Sequence, residues 1–146
     1  MTKRISIVTA LAEKFKLIDG NPPYSSDLFD NSYPKLKFWD EVQDFPCVYL
    51  TPGTEIREYH PADFTWGMLN VNVKVYVRSE NEAQQQLEDL INDLETVINA
   101  NRVLVYDTTN NLSTTEILIQ SITTDEGLLA PYGVGEINLQ VRYALV

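Results

Sequence analysis

The side chains in this chain best supplied for chemistry are acids. Asp125 and Glu126 adjoin at the end of an alternating segment, and Glu88, Asp89, Asp93 and Glu95 crowd a helical stretch. Paired carboxylates can exchange protons with a substrate or hold Mg²⁺, which would make a carboxylate-dependent hydrolase. Adjacency along the chain does not fix separation in space, however. The helical acids also fall on the polar face, where solvation explains them. His60 stands alone in the turn-like Tyr59-His60-Pro61, with no Gly-x-Ser-x-Gly elbow to give it a nucleophile. Cys47 opens a short apolar strand. A reactive thiolate would want cations beside it, and the nearby Glu41 and Asp44 are anionic, so Cys47 reads as a core thiol. One cysteine and one histidine exclude an internal disulfide and a zinc site. Gly133-Val134-Gly135 precedes a strand and not a helix, so it fails the dinucleotide pattern and reads as turn glycines. We expect no catalytic residue, no cofactor and no metal.

The elements that must carry these residues are legible in the hydrophobic pattern. Residues 3–18 place Ile5, Val8, Leu11, Ala12, Phe15 and Ile18 on one helical face, with Thr2 as cap. A second helix runs from the capping box Ser79…Glu82 to Asn99-Ala100-Asn101, with the apolar stripe Ala83, Leu87, Leu90, Ile91, Leu94, Val97 and Ile98. From Phe64 to Arg78 apolar and polar residues alternate, the odd-numbered Leu69 to Val77 facing one way and Asn70 to Arg78 the other. Cys47–Leu50 is a short strand that stops at the turn signature Thr51-Pro52-Gly53-Thr54, and Glu55–Tyr59 returns as its hairpin partner. Short Val103–Tyr106, Thr115–Thr124 and 136–145 complete the set. The expected fold is α+β in the order α-β-β-β-α-β-β-β: a largely antiparallel sheet, mixed pairing left open, with two amphipathic helices on one face. A single domain spans 1–146.

Residues 19–45 form a long irregular loop without period, yet rich in aromatics. Either it drapes over its own core or it packs on a neighbouring subunit. The segment 125–135 likewise either tucks Leu128, Leu129 and Tyr132 under the sheet or presents them as a contact patch. Tyr24, Phe38, Trp39, Leu128, Leu129 and Tyr132 are therefore candidate partner contacts.

Charge narrows the partners. The chain of 146 residues carries 11 basic and 21 acidic side chains, a net charge of −10, which is poor equipment for gripping nucleic acid. The imbalance is uneven. Residues 1–37 are slightly basic, and the second helix has six acids and no cation. Lys3, Arg4 and Lys14 are candidates for meeting Glu88, Asp89, Asp93 and Glu95, within the chain or on the next subunit. The latter contact would join unlike surfaces and build a ring or a filament. No apolar run approaches the ~20 residues of a membrane helix, and no signal-peptide core is visible.

Several stretches together resemble the tail terminator (tail completion) proteins of long-tailed, siphovirus-type bacteriophages. They are Phe45-Pro46-Cys47-Val48-Tyr49-Leu50-Thr51-Pro52-Gly53-Thr54-Glu55, Phe64-Thr65-Trp66-Gly67, Gln86-Leu87-Glu88-Asp89-Leu90, Thr124-Asp125-Glu126-Gly127 and Val141-Arg142-Tyr143. The likeness covers about 45–145. It implies a structural virion protein, assembled in the host cytoplasm, that forms a hexameric ring at the head-proximal end of the tail tube. Such a ring stops tube growth and binds the tail tube protein on one side and the head-tail connector protein on the other. DNA passes through without specific binding, and an anionic subunit fits that passage. The alternative is another neck or minor tail protein of related fold. The family has no catalytic motif, so the resemblance assigns no functional residue.

Overall fold

The computed structural model describes residues 2–145. Helix α1 (Lys3–Phe15) opens on Thr2, whose hydroxyl accepts the Ile5 N–H at 3.2 Å. The helix is shorter than the expected 3–18. Lys16, Leu17 and Ile18 donate to carbonyls three residues back, which tightens and ends it. Ile18 is still buried, so its apolar spacing is real although its backbone is not α-helical. Helix α2 (Ala83–Ala100) starts after the Ser79 hydroxyl accepts the Glu82 N–H at 3.1 Å. Only that half of the expected capping box forms, because the Ser79 N–H donates to the Pro131 carbonyl instead of to Glu82.

Between the helices lie β1 (Ser32–Tyr33), β2 (Cys47–His60) and β3 (Phe64–Arg78). After α2 come β4 (Val105–Asp107), β5 (Leu112–Ser113), β6 (Glu116–Thr124) and β7 (Tyr132–Ala144). Five strands make one sheet in the order β1-β2-β3-β7-β6, antiparallel except for β1 beside β2, and β4-β5 form a separate ribbon. Both helices pack on one face. Val71, Val73, Val75, Leu139 and Val141 meet Leu11 and Phe15 of α1 and Leu87, Leu94 and Val97 of α2 in a single buried cluster. Each such side chain contributes ~1.5–3 kcal/mol by leaving water. The α+β architecture is as the hydrophobic pattern implied.

Three local expectations are corrected. Thr51-Pro52-Gly53-Thr54 is not a turn. β2 runs straight through it with a bulge between Pro52 and Glu55, and the chain reverses at 61–63, where Ala62 and Asp63 take positive φ. Proline at an edge bulge loses no ladder bond, which is why the turn signature misleads here. Gly133 and Gly135 are not turn residues but lie buried inside β7. A Cβ on Gly133 would stand 2.7 Å from Val77 Cγ2 and 3.0 Å from the Ala83 carbonyl, so glycine lets α2 settle on the sheet. Tyr76, on the face expected to be wet or to contact a partner, is 2% exposed. The 34–46 segment covers it, and its hydroxyl donates to the Lys37 carbonyl at 2.6 Å.

β6 carries a bulge between Ile119 and Ser121, which accounts for its untidy alternation. Ile122 pairs opposite Ile137 and so shares the helix-covered face with Ile117, not the face of Leu118.

Candidate functional site

The irregular 19–45 segment is a strap clasped to the body. Leu28 is fully buried, β1 joins the sheet, and Asp93 of α2 receives the Ser25 and Ser26 N–H groups at 3.2 and 2.8 Å. Asp93 is 1% exposed, which corrects its placement on a solvated polar face and removes it from any charged outer surface. The signal was present in the sequence: Asp93 follows Leu90 by three and precedes Val97 by four, a position on the apolar stripe. An acid there needs donors, and two backbone amides of the strap supply them.

The strap and the 125–131 turn meet at one end of the sheet, where β2 and β7 begin and β3 and β6 finish. Tyr132 packs against Trp39 at 5.5 Å and Phe45 at 5.6 Å between ring centroids. Phe38 and Leu128 project outward, Leu128 being 85% exposed, whereas Leu129 is half-buried. Phe38, Trp39, Leu128, Leu129 and Tyr132 thus share this end, and Tyr24 does not, because it packs on the main core.

Asp125 builds the turn that carries Leu128. Its carboxylate accepts the Leu129 N–H at 2.9 Å and the Val134 N–H at 3.1 Å. Both oxygens are engaged in holding backbone, which overturns the reading of Asp125-Glu126 as an acid–base pair. His60 ends β2 and sits 2.8 Å from Glu58 on an exposed hairpin. Cys47 is fully buried with Val42, Tyr49 and Tyr76, and burial pushes its thiol up to about 12. Among the described residues no group of three or more His, Cys, Asp or Glu side chains is arranged to hold a metal ion.

The other candidate contacts divide between the chain's own body and its surface. Lys3 donates to the Ala144 carbonyl at 3.4 Å, and Arg4 reaches the Gly53 carbonyl at the β2 bulge. Lys14 and Glu88 are exposed, and Asp89 and Glu95 are half-exposed. Among the described residues no ion pair joins α1 cations to α2 acids. Sequence reasoning missed Glu55, whose side chain is 5% exposed, bonds Arg57 Nε at 2.7 Å and accepts the Tyr143 hydroxyl. With Arg4 it fixes the root of the β2–β3 hairpin.

Among the described residues, the face of the sheet away from the helices carries no covering layer over most of its area, and both sheet edges are open. β1 pairs with β2 only at Val48 and Tyr49, leaving the rest of that edge unpaired among the described residues. At the other side β6 reads Glu-Ile-Leu-Ile-Gln-Ser-Ile-Thr-Thr, with neither the lysine nor the proline that usually protects an edge.

Comparison with known proteins places this architecture. The fold is shared, at a TM-score of 0.64 and 7% identity, with a chain from the virion of a native gene transfer agent particle, covering 99% of this chain and 100% of that one. A curated relative, tail tube terminator protein p142 of Escherichia phage T5, is 38% identical over 98% of this chain and 94% of its own length. The family model described as bacteriophage tail tube terminator protein matches residues 1–145. The chain therefore belongs to the tail tube terminator family, structural components of the phage virion and not enzymes.

Proposed function

We propose that the protein assembles into a closed ring that caps the head-proximal end of the tail tube, halts its growth and joins it to the head connector. The observation that carries the ring is the pair of open edges on one sheet. The exposed run of β2 and the outer strand β6 are unlike strands at opposite sides. Pairing one with the other on the next copy is a heterologous contact, which closes into a ring when the rotation per subunit divides the circle. Six copies are what the family resemblance implies. Lys14 on one copy and Glu88, Asp89 and Glu95 on another are complementary charges that form no ion pair among the described residues, and they support the same neighbour contact.

In such a ring the helices face outward and the uncovered sheet face lines the channel. A helix layer about 10 Å thick on the inside would otherwise narrow the bore on every side. The strand ends then fall on the two rims, and the aromatic end with Phe38, Trp39, Leu128 and Tyr132 supplies one rim's contact with the neighbouring virion protein.

Electron microscopy of particles made without this protein tests the reading. Over-long tails without heads are expected. Tails of normal length would overturn termination and favour a different neck component. Native mass spectrometry showing monomer at every concentration and salt, with tail tube and connector proteins added, would overturn the ring.

A further inference from the structure

The net charge of −10 suggests a channel that works by repelling DNA, but the charge is not distributed that way. Reading the sheet across its register, Thr51, Asn72, Asn138 and Ser121 form one row of the open face, with no charge. The next row, Asn70, Gln140 and Leu118, has none either. The flanking rows each hold one cation opposite one anion. Lys74 faces Glu136 with 3.2 Å between charged atoms, and Arg142 lies opposite Glu116 in register, while the Glu116 carboxylate pairs with Arg102 at 3.7 Å. The Arg142 guanidinium is engaged by stacking on Trp66 at 4.1 Å. These four rows sum to zero, while α2 on the far side carries acids and no cation.

In the central row the polar groups also engage one another. Asn72 donates to Glu136 and, at 3.0 Å, to Asn138, which donates to the Ser121 hydroxyl at 3.1 Å. Burial opposes ionisation of Glu136, but the Asn72 amide and the Lys74 ammonium outweigh it and hold the carboxyl below its ordinary range.

We propose that this face is a charge-balanced amide surface over which duplex DNA slides. The inference rests on the ring reading above and specifies its inner chemistry. Strong phosphate binding needs cations free to displace counterions, and here both cations are already committed. Strong repulsion needs unpaired anions, and these rows hold none. The duplex meets amides and hydroxyls, whose hydrogen bonds exchange readily with water and differ little from one base pair to the next. Passage over these rows is therefore not gated by salt.

The test uses rings of the full-length protein, confirmed by native mass spectrometry and electron microscopy for each variant, and linear blunt duplex DNA as probe. Wild-type rings should retain no duplex at low salt. The double variant Asn70→Lys, Asn138→Lys should retain it, with affinity falling about 10- to 40-fold between 0.05 M and 0.2 M salt if two or three phosphates are engaged together. The control Asn92→Lys, Thr96→Lys, at exposed positions on the helical side outside the proposed subunit contact, should stay at the wild-type level. Sheet-face lysines without effect, beside helix-face lysines that capture DNA, would overturn the assignment while leaving the ring intact. Salt-sensitive retention by the wild type would overturn the charge balance. Wild-type chains that form no ring would bring down the parent reading and this one together.

Discussion

Replacing Asp93 by asparagine isolates the clasp between strap and helix, because it changes one atom and the charge while keeping the shape. In the native fold the two carboxylate oxygens receive separate N–H groups, from Ser26 at 2.8 Å and Ser25 at 3.2 Å. An amide has one acceptor. If its oxygen keeps the shorter bond, its NH₂ points at the Ser25 N–H, donor against donor. The surviving bond also loses its charge assistance, which roughly halves its strength. An unsatisfied donor costs ~1–3 kcal/mol, so the sum is about 2–4 kcal/mol with the weakened bond included. At about 2–4 °C per kcal/mol for a chain of this size, that lowers Tm by about 4–16 °C. Thermal and urea unfolding, with Glu88→Gln as an exposed control, give the magnitude. Hydrogen exchange at Ser25 and Ser26 gives the location, and both amides should exchange faster. An unfolding free energy for Asp93→Asn within ~0.5 kcal/mol of the control, with unchanged exchange, would refute the clasp.

Two further outcomes follow from the packing. Gly133→Ala should destabilise by ~1–3 kcal/mol through overpacking, since the new methyl meets Val77 and the Ala83 carbonyl at the start of α2; a melt at the wild-type temperature would mean that α2 can lift freely from the sheet. Burial holds the Cys47 thiol at about 12 against an ordinary 9.0, so a thiol reagent at neutral pH should label it only after unfolding. Because the folded value is raised, the stabilising contribution of the neutral thiol is intact below about 9 and is lost as pH rises through about 12. Tyr49 and Tyr76 in the same cluster titrate near the same upper value. Rapid labelling of the native protein would contradict the packing around β2.

Periodicity located α2, β3 and most of β7 because each has one buried and one exposed face, and such a face imposes its repeat on the sequence. Of the shorter pieces, β4 falls within two residues of the expected Val103–Tyr106, but β1 and β5 escaped. They span only two residues each, too few for any period to register. The β2 bulge was misread because Pro52-Gly53 has the same composition in a bulge as in a turn. What separates the two is whether the strand beyond continues beside the same neighbour, and that is a long-range fact. For the candidate surfaces, the aromatic residues of the strap and of the 125–131 turn were visible as types, but their convergence on Tyr132 depends on two segments more than 80 residues apart.

The amino-acid order alone determined that this is an α+β domain with two amphipathic helices and a long valine-rich strand, and it carried the likeness to a family without catalytic machinery. Local spacing suffices for that, because a helix or strand must bury its own stripe. Tertiary structure decided where the charge resides. It turned Asp93 inward, spent Asp125 on backbone, matched Lys74 with Glu136, and left the amide rows of the open face neutral. Those outcomes depend on register and on which strands become neighbours, and register is set by the packing of the whole sheet against its helices.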